Sequence, residues 1–519
     1  MGIYLNPGNI MFQKSLRKEI YVDKSEMISN LNKMIDFGEP YVCVSRPRRF
    51  GKSVDANMLV AYYSKECDSH LLFDHLKISR HESYEKHLNQ HHVIHLNMNN
   101  FLTSSSNVQE MIRLIEKYIM MELKLVYQNI VFDQTLSMFL QSVYSNTKEG
   151  FIFIVDEWDC VFRYYPNDKE AQKEYLDYLR MLFKDQPYID LVYMTGILPI
   201  KKYGVHSALN MFREYSILTP KTLRDFMGFK ESEVIALCHK YHMDINQMKL
   251  WYDGYQLKGE SFYCPKSVVE AISEKEYLSY WTQTETFEAL KTYIDLNVDG
   301  LKDGVIKMLS DEKVKVDITG FQNDMNAYGS KDDIFTLLVH LGYLTYDEET
   351  KTVKIPNKEV KDEFVTVLRN SNWGITTQAV KNSRDLLEAT INLDTEKVAN
   401  YLEQAHLETS ILQYNDENAL AYTLYLAYYS ARDYYTLVRE LPSGKGFADL
   451  VLLPFKNDKP AMIIELKYDQ DANTAIKQIK DKKYDFGLDA YLENLLLVGI
   501  SYDKTTKKHE CVIEKYMNE

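Results

Sequence analysis

The sequence predicts an α/β protein in three parts: an N-terminal parallel sheet with helices on both faces, a mostly helical middle, and a C-terminal α/β domain. Three observations carry this. Short apolar runs alternate with helical periodicity over the first 220 residues, the pattern of strands joined by crossover helices. From about 221 to 400 the pattern turns to helices with short strands. The last 120 or so residues read helix, three strands, helix, strand. At 519 residues the chain is too long for one core. The expected parts are 1–220, 221–400 and 401–519, with the polar stretch Asn370–Asn382, or the helix pair after it, as the later boundary.

Residues Tyr21-Val22-Asp23-Lys24-Ser25 precede a helical pattern from Glu26 to about Phe37. The run Tyr41-Val42-Cys43-Val44 reads as a buried strand. It leads into Ser45-Arg46-Pro47-Arg48-Arg49-Phe50-Gly51-Lys52-Ser53, and a helix is expected from Val54 to about Ser64. Strand, tight turn, Gly-Lys-Ser and helix is the context of a phosphate-binding loop. Backbone N–H groups of the turn and the helix N-terminus point at phosphate oxygens, and the helix dipole favours their charge. Lys52 is expected to reach the β- and γ-phosphates of ATP, and the Ser53 hydroxyl to ligate Mg²⁺. Arg49, Phe50 and Gly51 complete the expected nucleotide contacts, Gly51 by letting the backbone come close. The general pattern has Gly where Arg46 stands. The bland alternative is a basic turn ahead of a helix.

A further strand is expected at His92–Met98, then a long helical region from Val108 to about Ser145. His91, His92 and His95 read as strand-edge or core residues rather than metal ligands, because no partner spacing supports a site. Phe151-Ile152-Phe153-Ile154-Val155 is a fully buried strand that ends in Asp156-Glu157. Ligands of open α/β sheets sit at such C-terminal strand ends. Asp156 is expected to hold Mg²⁺ through water, and Glu157 to polarise the attacking water; the alternative is a solvated acidic turn. The strand Asp190–Gly196 carries Thr195, placed to sense the γ-phosphate. Arg213 and Arg224 follow, as γ-phosphate contacts or, more plainly, surface ion pairs.

In the middle, Asp225-Phe226-Met227-Gly228-Phe229 leads into a helix from Glu231 to Tyr241, and Trp251-Tyr252-Asp253-Gly254-Tyr255 forms an aromatic turn. A helix from Asp333 to Leu341 ends at Gly342, followed by the short strands Tyr343–Tyr346 and Thr352–Ile355, an arrangement compatible with a winged helix.

Toward the C-terminus a helix is expected from Asp416 to about Ala431, with strands at Tyr434–Leu441, Phe447–Pro454 and Ala461–Lys467. A helix from Ala472 to about Tyr484 and a strand from Leu495 to Tyr502 complete the order. Ile463, Glu465 and Lys467 share a face by strand alternation, with Asp449 on the neighbouring strand. Two carboxylates beside a lysine can hold a divalent metal and a cation together, as hydrolysis of a phosphodiester requires. Lys467 would orient the water or offset charge. Glu417 and Gln478 are supporting candidates. The alternative is a cross-strand ion pair of small energetic worth.

The composition is that of an ordinary globular chain, 45% hydrophobic and 26% charged. The net charge of −14 argues against a broadly basic nucleic-acid binder, and residues from 405 onward hold 14 Lys and Arg against 18 Asp and Glu. The one local basic stretch is Lys477, Lys480, Lys482 and Lys483. Six scattered cysteines without a C-x-x-C pair read as reduced thiols of a cytoplasmic protein. No signal peptide and no membrane-spanning run are expected.

These residues together resemble a bacterial two-domain family, an AAA-ATPase-like domain joined to a PD-(D/E)XK nuclease-superfamily domain. The resemblance rests on Tyr21–Lys24, Ser45–Ser53, Asp156-Glu157, Trp251–Tyr255, Gly342–Thr345, Ile355–Val360, Lys445–Asp449 and Glu465-Leu466-Lys467. Arg46 in place of Gly fits the family. The resemblance implies a P-loop NTPase sheet, ATP binding and hydrolysis at Lys52, Ser53, Asp156 and Glu157, and a Mg²⁺ nuclease centre at Asp449, Glu465 and Lys467. Two classes of function remain: an ATP-dependent nuclease acting on DNA, or an ATP-driven switch whose C-terminal fold is an inert interaction module. Oligomerisation stays open.

Overall fold

The computed structural model describes residues 2–130, 135–200, 209–281, 290–291, 293–294, 298, 300–309, 311–319, 321, 330–369, 375–407, 424–425, 427–443, 446–456, 458–481, 489–503, 505–506 and 508–516. Strands β1 (Tyr41–Ser45), β2 (His92–Asn97), β3 (Phe151–Asp156), β4 (Ile189–Gly196) and β5 (Arg213–Tyr215) form one parallel sheet in the order β2-β3-β4-β1-β5. All six β3 residues are buried, as a strand covered on both faces requires. Each large apolar side chain there contributes about 1.5–3 kcal/mol of burial. The register pairs Asp156 with Thr195 and Thr195 with Val44, so the C-terminal ends of β1, β3 and β4 lie level. β5 was not expected; three residues reading Arg-Glu-Tyr carry no strand pattern of their own.

Helix α1 (Lys52–Tyr63) follows β1. The helical region after β2 is two helices, α2 (Val108–Val126) and α3 (Leu136–Thr147). Val108, Met111, Ile115, Ile119 and Leu123 are buried at spacings of three and four, which makes α2 amphipathic. Asn107 caps it by accepting from the Glu110 N–H, and Thr135 caps α3 by accepting from the Met138 N–H. A second cap signal inside the expected region is why one helix became two. Helix α4 (Cys160–Tyr164) follows β3.

The middle region combines helices with two small sheets. β6 (Phe229–Lys230) runs into α5 (Glu231–Tyr241), and β7 (Tyr255–Leu257) and β8 (Glu260–Tyr263) join β6 in the order β6-β8-β7. β9 (Val314–Lys315), α6 (Lys331–Leu341), β10 (Thr345–Asp347) and β11 (Thr352–Lys354) follow, with sheet order β10-β11-β9. Ser330 caps α6, and Gly342 ends it at φ 88, a left-handed turn that suits glycine. Every residue of α6 from Ile334 to His340 is buried. Helices α7 (Lys358–Arg369), α8 (Ile375–Ile391) and α9 (Thr395–Leu407) come next.

The C-terminal sheet has the order β12-β13-β14-β15-β16, from β12 (Tyr435–Ser443), β13 (Gly446–Pro454), β14 (Ala461–Tyr468), β15 (Leu495–Asp503) and β16 (Lys508–Lys515). β14 and β15 are parallel, joined across helix α10 (Ala472–Asp481); the other pairs are antiparallel. The sheet is therefore mixed. Leu450, Leu452, Met462, Ile464, Val498 and Ile500 face α8 and α9, while Val451, Ile463 and Leu497 face Ile476 and Ile479 of α10.

The chain divides into two compact units. The first comprises Met1–Gln283, Val298–Gly300 and Lys313–Val360, and the second Thr284–Asn297, Leu301–Glu312 and Lys361–Glu519.

Candidate functional site

In the first unit the loop between β1 and α1 turns through two left-handed residues, Arg49 at φ 70 and Gly51 at φ 82. Lys52 opens α1. Its Nζ donates to the Arg46 carbonyl at 3.1 Å and the Pro47 carbonyl at 2.9 Å, so the lysine folds back over its own loop. Burial pulls its pKa down to about 8, against the upward pull of Glu157, Asp159 and Asp156. The Ser53 hydroxyl donates to Asp156 Oδ2 at 2.8 Å, and Asp156 Oδ1 accepts from the Glu157 N–H at 3.0 Å. Glu157 sits at φ 55, strained for a residue with a side chain, and its carboxylate pairs with Arg163 of α4. Burial raises the pKa of both Asp156 and Glu157.

Thr195 is fully buried. Its hydroxyl donates to the Val44 carbonyl at 3.0 Å, so it braces β4 against β1. Asp159, three residues beyond Asp156, is also fully buried. Its Oδ2 accepts from the N–H groups of Ile197 at 3.1 Å and Leu198 at 2.9 Å, which ties the turn after β3 to the end of β4.

Arg46 explains its own departure from the glycine pattern. Its side chain is 1% exposed, ion-paired with Asp55 of α1, and donates to the Phe226 carbonyl at 2.8 Å. A glycine there could not make this strut. The quoted middle motifs lie around the same loop. Phe50 meets Tyr255 edge-on at 5.0 Å. A Cβ on Gly342 would stand 2.7 Å from Pro47 Cβ, and one on Gly254 would stand 2.0 Å from the Pro356 carbonyl oxygen. The Arg49 guanidinium donates to the Tyr280 carbonyl at 2.8 Å. Lys24 binds Glu233 at 2.7 Å and the Asp225 carbonyl at 3.0 Å. Arg46, Asp55, Asp159 and Lys24 are residues whose positions sequence reasoning did not anticipate. A charged residue in place of a loop glycine was the one signal available.

In the second unit β13 and β14 pair as far as Leu450 with Ile464. The next pair would be Asp449 opposite Glu465, and there the ladder opens. Asp449 Oδ2 accepts from the Leu466 N–H at 2.7 Å. Glu465 is 2% exposed; its Oε1 accepts from Lys467 Nζ at 3.2 Å and from the Gln478 amide. Gly499 pairs with Glu465 on β15, and a Cβ there would stand 2.5 Å from the Ala472 carbonyl oxygen, so glycine lets α10 close over this face. Asp449, Glu465, Lys467 and Gln478 are thus brought together. Glu417, Lys482 and Lys483 lie outside the described residues.

The other candidates are engaged elsewhere. His91 accepts from or donates to His87 across 2.9 Å, His92 meets Glu149 at 2.8 Å, and burial lowers the His95 pKa to about 4. Arg213 pairs with Glu39 at 2.7 Å, and Arg224 with Asp225 at 3.1 Å and Glu260 at 3.0 Å. No helix among the described residues is long and apolar enough to cross a membrane.

Residues 10–206 match the family described as "Predicted AAA-ATPase", and residues 415–511 match the PD-(D/E)XK nuclease superfamily. The chain joins an AAA-ATPase-like domain to a PD-(D/E)XK-superfamily domain. A curated relative, an uncharacterized protein in the vnfD 5′ region of Azotobacter chroococcum mcd 1, is 23% identical over 277 residues. The match covers 51% of this chain and 51% of the relative, so the chain spans about half of that protein's length. The Walker-type ATPase PABY2304 of Pyrococcus abyssi is 13% identical, with 66% of this chain and 95% of that one covered and a TM-score of 0.35. The ORC2 protein of Aeropyrum pernix is 10% identical, with 67% and 95% covered and a TM-score of 0.33. Neither likeness is close enough to inform the site.

The donor sets fit the groups such domains use. In the AAA-ATPase-like domain, a hydroxyl and a carboxylate 2.8 Å apart beside a buried lysine suit a Mg²⁺-nucleotide. In the PD-(D/E)XK domain, two carboxylates at an opened ladder supply hard oxygens, and Mg²⁺ ordinarily keeps several waters as its remaining ligands. Among the described residues no group of three or more His, Cys, Asp or Glu side chains is arranged to hold a metal, so water would have to supply the rest.

Proposed function

We propose that this protein binds and hydrolyses ATP in its N-terminal domain and cleaves nucleic acid, DNA in the first instance, at a Mg²⁺-dependent centre in its C-terminal domain under ATP control. The observation that carries the ATP half is the Ser53–Asp156 hydrogen bond of 2.8 Å, with Lys52 buried beside it. Lys52 would leave the Arg46 and Pro47 carbonyls for the β- and γ-phosphate oxygens, exchanging two neutral acceptors for charged ones. Arg49, Phe50 and Gly51 would present the loop backbone to the phosphates. Ser53 and Asp156 would hold Mg²⁺, which supplies neutralisation of phosphate charge when bound. Glu157, its pKa raised by burial, would accept the proton of the attacking water once Arg163 releases its carboxylate. Thr195 would act by bracing β4 rather than by touching phosphate.

At the second centre Asp449 and Glu465 would hold Mg²⁺, which supplies an activated water and charge stabilisation. Lys467 would orient that water or offset the charge developing on phosphorus, and Gln478 would hold the Glu465 carboxylate in place. One observation favours a second reading, an ATP-driven switch with an inert C-terminal module. Both carboxylates are engaged internally, Asp449 by the Leu466 N–H and Glu465 by Lys467 and Gln478. Incubation of linear, circular and single-stranded DNA with Mg²⁺, with and without ATP, decides between them when wild type is run beside Glu465→Ala. Cleavage that the variant loses supports the nuclease. ATP turnover without cleavage of any substrate supports the switch.

A further inference from the structure

Glu359 belongs to neither pair of carboxylates described above, and it is fully buried. A carboxylate taken out of water needs several donors to offset its desolvation. Glu359 has three. Its Oε1 accepts from the main-chain N–H groups of Tyr280 at 2.6 Å and Trp281 at 2.8 Å, and its Oε2 from the Ser267 hydroxyl at 2.8 Å. The carbonyl of that same Tyr280 is the acceptor for the Arg49 guanidinium at 2.8 Å. One residue's main chain is therefore held on one side by Glu359 and on the other by the nucleotide loop. Arg49 itself sits at φ 70, a conformation costly for a side-chain-bearing residue unless its surroundings fix it. Phe50 and Gly51 follow directly, with Lys52 after them.

We infer that Glu359 is a positioning residue for the nucleotide loop, acting through the Tyr280–Trp281 main chain and Arg49 to hold the left-handed turn that aims loop N–H groups at phosphate. This rests on the ATP reading of that loop. Nothing in the phosphate-binding pattern requires an acid so far along the chain, and no chemistry at the phosphates involves it. The chain leaves the first unit at Gln283 and again at Val360, just beyond Trp281 and Glu359.

The test uses the full-length protein and N-methylanthraniloyl-ADP as the probe, with thermal unfolding measured on every variant. Wild type and Lys52→Ala come first: a probe bound by wild type and lost in Lys52→Ala keeps the ATP reading, and equal binding in both removes it together with the inference. Given that reading, Glu359→Ala is expected to raise the probe Kd about tenfold, the effect of losing one charge-assisted support. Glu359→Gln is expected to recover most of it, because the amide oxygen still accepts from Tyr280 and Trp281. Arg49→Met is expected to weaken binding by a similar factor, and the double variant by no more than either alone. Arg49→Met keeps the question open to refutation if Glu359→Ala fails to fold. Wild-type Kd in Glu359→Ala or in Arg49→Met, or effects that multiply in the double variant, would overturn the inference.

Discussion

The nucleotide loop and the carboxylate fork are held in place over very different spans of sequence. Arg46 and Arg49 reach acceptors 180 and 231 residues away, whereas Asp449 and Glu465 are fixed by partners 17 and 13 residues away. The loop is shaped by tertiary packing from a whole unit. The fork is made within a strand pair and the helix that follows. Damage near the loop should therefore harm stability and nucleotide binding together, while damage at the fork should remove chemistry and leave the fold standing.

The largest effects test the chemistry on each side. Lys52→Ala is expected to lower ATP turnover by about 100-fold or more, since it removes the charge opposite the γ-phosphate. Steady-state phosphate release measures this, and unchanged turnover would mean the loop is not an ATP site. Glu465→Gln is expected to lower Mg²⁺-dependent cleavage by about 100-fold or more, because a neutral amide is a poor ligand for a hard cation. Its melting temperature should stay near that of wild type. A large drop in melting temperature would place the fork with the loop as a tertiary construction and erase the contrast.

Next is the strut. Arg46→Met leaves the Asp55 carboxylate buried without its guanidinium, a change expected to cost about 3–5 kcal/mol in urea unfolding. Adding Asp55→Leu should recover most of that stability, since a buried pair replaced by apolar groups is often neutral. If recovery of stability does not restore nucleotide binding, the pair shapes the loop as well as the core.

How much of this was legible follows the same division. Phe151–Val155 announced itself as a buried strand by five apolar residues in a row, and Glu465 and Lys467 announced their common face by alternation alone. β16 did not, because Lys508, Glu510 and Glu514 interrupt a weak apolar face of His509, Cys511 and Ile513, and the strand exists by pairing with β15. Arg46 was legible as an anomaly but not as a strut, since its Phe226 acceptor is set only by the folded chain. Glu359 was part of a quoted motif with no assigned work for the same reason: its donors are two main-chain N–H groups 79 and 78 residues earlier and the Ser267 hydroxyl 92 residues earlier.

A smaller effect sharpens the contrast within the second unit. Gly499→Ala puts a Cβ 2.5 Å from the Ala472 carbonyl oxygen, 2.9 Å from Ile476 and 3.2 Å from the Ala475 methyl. Moving α10 to relieve this is expected to cost about 1–3 kcal/mol. Gln478 moves with the helix, so cleavage should fall while ATP turnover is unchanged. Cleavage and turnover falling by the same factor would show that the variant acts through the stability of the whole chain instead.

The smallest expected effect is a pH dependence, and it belongs to the loop alone. Burial lowers the Lys52 pKa to about 8, so the free protein loses the ammonium charge as pH rises through that value. The pH profile of kcat/KM reports the free enzyme's groups. It should be level below Lys52's pKa on this limb, halved at about pH 8, and fall about tenfold per unit above it. Bound phosphates favour the charged lysine, so kcat at saturating ATP should hold to higher pH than kcat/KM. Cleavage assayed at saturating ATP should lack this limb, because bound phosphates keep Lys52 charged and the fork does not contain it. A limb shared by both activities would mean that proton loss at the loop is felt at the fork, and the two sites would then have to be treated as one coupled system.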